Sequence, residues 1–181
     1  QAALEFPGVF DEAAIPVDQL SADAQWQING EQFGLQLSNA RFANVDAQGE
    51  FSAQWHTADA AKSSARSRFP GVLDLQGSLS RADGARVYRY LPKSLPKDVR
   101  EYVHQAVQQG QASSAKFRVK GDLADMPFTN PKLGEFRIAA QVRNVTLAYV
   151  PKALQTRDEP AWPPLAQLAG ELVFERSGMQ I

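Results

Sequence analysis

Along most of this chain apolar and polar residues alternate one for one, the period of a β-strand with a single apolar face. Leu20, Ala22, Ala24, Trp26 and Ile28 alternate with polar residues and run into Asn29-Gly30, a strong hairpin signal, with Phe33, Leu35 and Leu37 as the return strand. Phe42 and Val45 predict a third short segment, and Phe51, Ala53 and Trp55 a fourth. Leu73, Leu75 and Leu79 share one face with Gly77 among them, and Val87, Arg89 and Leu91 read as a further extended stretch. Ala115, Phe117, Val119, Gly121 and Leu123 alternate with Ser114, Lys116, Arg118, Lys120 and Asp122. Phe136, Ile138, Ala140 and Val142 do the same until Arg143-Asn144, where parity flips to Val145, Leu147 and Tyr149, the mark of a bulge. Leu168, Gly170, Leu172 and Phe174 make a last strand, and Ser177-Gly178 opens another hairpin.

One stretch keeps a different period. Leu95, Val99, Tyr102, Val103, Ala106 and Val107 fall on one stripe of a 3.6-residue helix. Ser94 suits its N-cap, Pro96 its first turn and Gly110 its stop, so a helix is predicted over 95–109, lying on the sheet to bury it. Elsewhere, residues 4–18 read as an extended lead-in with a bend, 56–68 as a loop and 152–164 as a proline-rich linker. The expected fold is mainly β (α+β): a curved antiparallel sheet with one amphipathic helix.

The two ends of the chain match without a gap. Residues 16–33 align with 164–181 at an offset of 148, with Pro16, Gln19, Leu20, Gly30 and Gln32 meeting identical residues. Two generic hairpins can coincide in this way. A strand-rich unit repeating with a period of about 148 residues gives the same match. With Gln1 at one end and a predicted strand stopping at Ile181 at the other, residues 1–181 are expected to be one internal segment of a larger repeat protein.

Composition narrows the chemistry. There are no cysteines, which excludes disulfides, thiol catalysis and cysteine zinc sites. At 44% hydrophobic residues the chain can bury a core, yet no apolar run approaches the roughly 18 residues of a membrane-spanning helix. The net charge of −1 hides an asymmetry: residues 1–60 carry −8, residues 61–120 carry +8, and the remainder −1. The basic third could face anionic headgroups, or lie against the acidic third and be neutralised there. Without a dedicated basic cluster, nucleic acid is not an expected partner.

His56 and His104 are too far apart for local metal-ligand spacing, and no HExxH, GxSxG, P-loop or GxGxxG pattern occurs. Asp122 and Asp125 are too few for a calcium loop. Glu171 and Glu175 share a strand face, but two carboxylates without a cleft make no hydrolase. Asn144-Val145-Thr146 is a glycosylation sequon by pattern only. No catalytic residue, metal site or cofactor is therefore expected, and the chain is not expected to be an enzyme.

Several phrases carry a resemblance: FDEAAIPVDQL with Trp26 after five more residues, FANVDAQGEF, RYLPKSLP before a short helix, KGDLADMPF, GEFRIAAQVRNVTLAYVP and AWPPLAQLAGELVFERSGMQI. Together they cover essentially the whole chain. In this it resembles the middle region of the very large YhdP proteins of Gram-negative bacteria, within the AsmA-like superfamily that includes TamB. Met126 stands where that family often has Phe. The resemblance implies a segment of a bridge-like lipid-transfer protein, anchored in the inner membrane and extended through the periplasm, carrying phospholipid along an open apolar β groove. It implies acyl chains and neighbouring modules of the same chain as partners, with membrane contact through the full-length protein.

For such a groove the alternating strands nominate a lining: Trp26, Ile28, Leu35 and Leu37; Phe51, Trp55, Leu73 and Leu75; Phe117, Val119, Phe136 and Ile138; and Val145 with Leu147. The alternatives are a structural or interaction module of the cell envelope, with these residues in a closed core, and a polysaccharide-binding or enzymatic β domain.

Overall fold

The alternating segments pair in chain order into one meander. The computed structural model describes residues 2–5, 8–93, 95–155 and 162–180. Strands β1 (Ala2–Glu5) and β2 (Ala14–Val17) form a small antiparallel sheet of their own. The other eight are β3 (Gln19–Asn29), β4 (Gln32–Ala43), β5 (Ala47–His56), β6 (Val72–Asp83), β7 (Val107–Asp122), β8 (Gly134–Leu147), β9 (Leu165–Glu175) and β10 (Gly178–Gln180). Each pairs antiparallel with its sequence neighbour, from β3 at one edge to β10 at the other, and the edges do not meet. The sheet is open and curved, and bulges interrupt its ladders. One sits at Asn144, where φ is +52° and the register shifts between Val142 and Val145, where the parity of the sequence flips.

The helix is shorter than its stripe. Helix α1 spans Lys97–Ala106, not 95–109, and Ser94 lies outside the described residues. Val107 is already extended and pairs with Leu147, so the β7–β8 ladder takes the residues that the helical period claimed. Gly110 is a strand position rather than a helix stop. Nor does α1 cover the sheet. It packs on a 3-10 helix, Gly84–Tyr90, and on the beginning of β7, and only Ala106 among its residues is buried. That 3-10 helix replaces the extended stretch expected around Val87–Leu91, because the Asp83 carboxylate accepts from the Ala85 N–H and starts a tight turn. The third segment also differs: Phe42 belongs to the long β4, and Val45 lies in the turn to β5.

The connections gather into two rims, one at each end of the strands. At one end, the loop over 57–71 is tied to the β3–β4 turn by Arg68, which donates to the Glu31 carbonyl. The same loop meets the β7–β8 connection where the Leu123 N–H donates to the Gly71 carbonyl (2.9 Å). At the other end, residues 8–18, the turn over 44–46, the 3-10 helix and α1 are joined through a buried polar cluster. Asn44 (5% exposed) donates to the Pro16 carbonyl and accepts from the N–H groups of Asp46 and Ala47. Asp46 (3% exposed) takes the Arg89 guanidinium and the Tyr90 hydroxyl. Arg89 also reaches Glu12 at 2.6 Å, and Arg100 pairs with Asp11. The acidic first third and the basic middle third thus neutralise each other across the rims, through Arg89–Glu12, Arg89–Asp46, Arg100–Asp11 and Arg68–Glu31.

Two predictions follow from the rims and the charges. Asp46→Ala leaves Arg89 with Glu12 alone and removes the acceptor of the Tyr90 hydroxyl, and should lower the unfolding free energy by about 2 kcal/mol. Lys62→Ala, which removes an exposed pair with Asp59, should change it by less than about 0.5 kcal/mol; urea titration of both variants measures the contrast. Arg89 beside Glu12, and Arg118 beside Asp74, hold those carboxyls below the ordinary range by hydrogen bonding, against the opposing effect of burial. A carboxyl depressed in the folded state adds stability that is complete above its unfolded pKa and is lost as pH falls through its folded one. Stability should therefore be level above about pH 5 and decline below about pH 4. The Glu12→Gln, Asp74→Asn double variant should show a shallower decline in its denaturant midpoints.

Candidate functional site

Cross-strand partners in a ladder project to the same face, so the register decides which side chains meet. One row runs Trp26, Leu35, Trp55, Leu73 and on to Gly121 and Gly134. The next runs Ala24, Leu37, Ala53, Leu75, Val119 and Phe136. A third runs Ala40, Phe51, Gly77, Phe117, Ile138 and Phe174. Leu20, Phe42, Gly49, Leu79, Ala115, Ala140 and Leu172 make a fourth. Ile28 pairs with Phe33 at the end of β3, and past the bulge Val145 pairs with Leu168 and Leu147 with Leu165. All the nominated apolar residues are thus brought onto one face.

Among the described residues, no second layer covers that face. None of the nominated residues is buried: Trp26 (68%) and Ile28 (66%) are openly exposed, and the others are half-buried against their neighbours in the rows. Among the described residues the fully buried large side chains are Phe128 and Pro151, both in connections rather than in strands. Rows that cross six or seven strands about 4.8 Å apart, and span about 20 Å along them, present roughly 600 Å² in projection. That is the upper end of the about 300–600 Å² that the largest apolar patch of an ordinary monomer reaches.

Aromatic side chains from the first rim lean onto the same face. Phe69 stacks on Trp55 (centroids 6.1 Å apart), whose indole N–H donates to the Pro70 carbonyl at 3.0 Å. Phe128, 0% exposed and held at φ +59°, lies against Gly121 and Gly134. A Cβ on Gly134 would sit 2.5 Å from the Phe128 ring, and one on Gly77 would sit 2.5 Å from the Phe117 ring. Glycines in the rows therefore make room for rings to lie flat on the sheet. The result is a trough with an apolar floor, walled along one side by these aromatics and running across the strands from β3 toward β9. Sequence periodicity alone missed Phe69 and Phe128 because they sit in connections; the nearest signal for Phe128 was the KGDLADMPF phrase that holds it. The nominated lining also left out Phe33, Phe42, Leu79, Leu172 and Phe174, which periodicity placed on strands and which carry the floor's parity.

The opposite face is mainly polar, although Val72, Ala139 and Val173 also lie on it. Gln25, Gln36, Gln54, Asp74, Lys120 and Glu135 form one of its rows, and Ser52, Gln76, Arg118, Arg137 and Glu175 another. Asp74 pairs with Arg118 and Lys120, and Glu175 with Arg137 and Arg176. Glu171 and Glu175 do share this face, but Glu175 is engaged by those arginines and no cleft joins the two carboxylates. Burial pushes the Tyr90 hydroxyl pKa up, at the second rim. His104 is exposed and stacks on Tyr88 (3.7 Å). Among the described residues, no three His, Cys, Asp or Glu side chains are grouped as metal ligands. The arrangement offers apolar contact along a path.

No curated protein matches this chain. No solved structure matches it either. A family model described as YhdP protein matches residues 1–181, the whole length, and the chain belongs to the YhdP family.

Proposed function

We propose that this chain is a segment of a lipid-transfer path, in which phospholipid acyl chains lie along the trough and move across the strands between the inner and outer membranes. The observation that carries this reading is the uncovered apolar face: four continuous rows, with a rim at each end of the strands and, among the described residues, no protein layer above them. Each CH₂ group taken from water onto such a floor gains about 0.8 kcal/mol. A floor of aliphatic and aromatic side chains without charge grips chains of any length with similar strength at every step, which suits movement better than a single tight pocket. On this reading the chain is not an enzyme and takes no nucleic acid. Its partners are acyl chains and neighbouring modules of the same protein, and it reaches the membranes through the full-length protein. No helix among the described residues is long and apolar enough to cross a membrane; a periplasmic position within an inner-membrane-anchored protein is part of the proposal.

A photoreactive phenylalanine analogue placed at Leu75, Phe117 or Ile138 should crosslink phospholipid supplied in vesicles. The same group at Gln76, Arg118 or Arg137, on the other face, should crosslink at least about tenfold less. Equal labelling of both faces, or none on the apolar one, would remove the reading. In native mass spectrometry, co-purifying phospholipid should disappear from the Phe117→Asp, Ile138→Asp double variant while its β-sheet signal is retained. Because both side chains are partly solvent-facing, that variant is expected to fold. Persistent lipid in it would place the lipid elsewhere.

A further inference from the structure

Two bulges shape the polar face as well as interrupting its ladders. β4 carries one at Asn39, where φ is +52° and the register shifts against both β3 and β5. β6 carries the other at Ser80, where Gln48 and Gly49 face Arg81 and Leu79. The Asn39 side chain donates to the Asp23 carboxylate (2.7 Å) and the Ser80 hydroxyl to the Gln48 carbonyl (3.3 Å), so each bulge is tied to the next strand. A bulge bends its strand and increases the local twist. Between these two the sheet opens a groove of about 670 Å³ across β3, β4, β5 and β6. Ligand clefts usually hold about 300–1,000 Å³.

Ser21, Arg41, Gln48, Glu50, Ser78 and Ser80 line this groove. Ser21, Arg41, Glu50 and Ser78 are successive members of one cross-strand row, which continues to Lys116 outside the groove. That row alternates with the Leu20, Phe42, Gly49 and Leu79 row of the floor, so its side chains take the polar face. Arg41 is the only cation among residues 1–60, which carry −8 overall. Arg68, Arg89, Arg100 and Arg118 each pair with a carboxylate. Arg41 has no ion pair among the described residues, and neither has Glu50 opposite it; both are exposed.

We propose that this groove binds a saccharide bearing one carboxylate per sugar unit, with the carboxylate on Arg41. A guanidinium takes a carboxylate through two parallel hydrogen bonds, and Arg41 is free to do so. The serine hydroxyls and the Gln48 amide can each donate and accept, which matches the hydroxyl groups of a sugar ring. Glu50 only accepts when ionised, so it suits a ring hydroxyl and repels a second anionic group. That sets the ligand apart from chains rich in phosphate. Four strands about 4.8 Å apart give the groove a length of about 14 Å, more than one sugar ring. Its chemistry is the reverse of the trough's, and the two open on opposite faces of the sheet. A sugar chain held here stays clear of the trough, and the proposal does not rest on the acyl-chain reading.

Tetragalacturonate titrated into the 181-residue chain, followed by amide NMR, tests this. Shifts should change over residues 19–21, 41–50 and 78–80 and stay fixed at Arg118 and Lys120. The fully methyl-esterified tetramer keeps its ring hydroxyls but carries no charge, and should bind at least about tenfold more weakly. Arg41→Gln should lose about tenfold for the acid and nothing for the ester. Lys116→Gln, in the same row but outside the groove, should change neither. Arg41 is exposed, so its variant is expected to fold, and the dispersion of its own spectrum checks that. No shifts at about 10 mM tetragalacturonate, a Kd too weak for a shaped site, would overturn the proposal. So would equal binding of acid and ester, equal losses in Arg41→Gln and Lys116→Gln, or the same shifts with inorganic phosphate.

Discussion

A sheet with one apolar face must either bury that face or carry it open, and in this molecule it is open. Leaving roughly 600 Å² of mostly apolar surface in water costs on the order of 10 kcal/mol at about 25 cal/mol per Å². That is comparable to the whole net stability of an ordinary domain. The rest of the structure answers to this. The ladders satisfy the backbone of seven successive strand pairs, and most side chains within the rows shield one another until they are half-buried. Packing that would normally lie between two layers is displaced to the rims, where Phe128, Pro151, Val17 and the Asn44–Asp46 cluster are buried.

The rims explain the charge asymmetry of the chain. An acidic first third and a basic middle third suggest a surface for anions when read linearly. Folded, the arginines at 68, 89 and 100 cross to acidic residues at 31, 12, 46 and 11, tying segments far apart in sequence. These pairs sit at the ends of the strands, so the charge holds the walls of the trough and stays off its floor. The polar face uses the same chemistry locally, with Asp74 shared between Arg118 and Lys120.

What was legible in the sequence is what depends on a period of two. The strands, the Asn29-Gly30 hairpin, the flip of parity at Asn144 and the common face of Trp26, Trp55, Phe117 and Ile138 all follow from alternation. What was not legible depends on competition between segments. The helical stripe continues through Val107, but Leu147 offers that residue a ladder partner, and tertiary pairing overrides local period. Phe69 and Phe128 lie in connections without periodicity, so nothing local says that their rings return to the sheet. Nor can alternation say whether a second layer will cover the apolar face; that is a property of the chain's topology, in which each strand goes only to its neighbour.

That topology also fixes the direction of the trough. In a two-layer sandwich, apolar residues meet across a gap and the core is closed on all sides. In a single-layer meander, apolar continuity runs along the rows, from one strand to the next, and ends only where the strands end. Its length is set by the number of strands and its width by the distance between the rims, so adding strands lengthens the path without altering its cross-section. Register is then the quantity the fold must protect, because a slip of one residue in any ladder would turn that strand's apolar set to the polar face and interrupt every row at once. Glycines at 49, 77, 121 and 134 bear on the same requirement. They keep the floor low where large side chains from neighbouring positions, Leu79, Phe117 and Phe128, lie across it, so that the rows stay level from strand to strand.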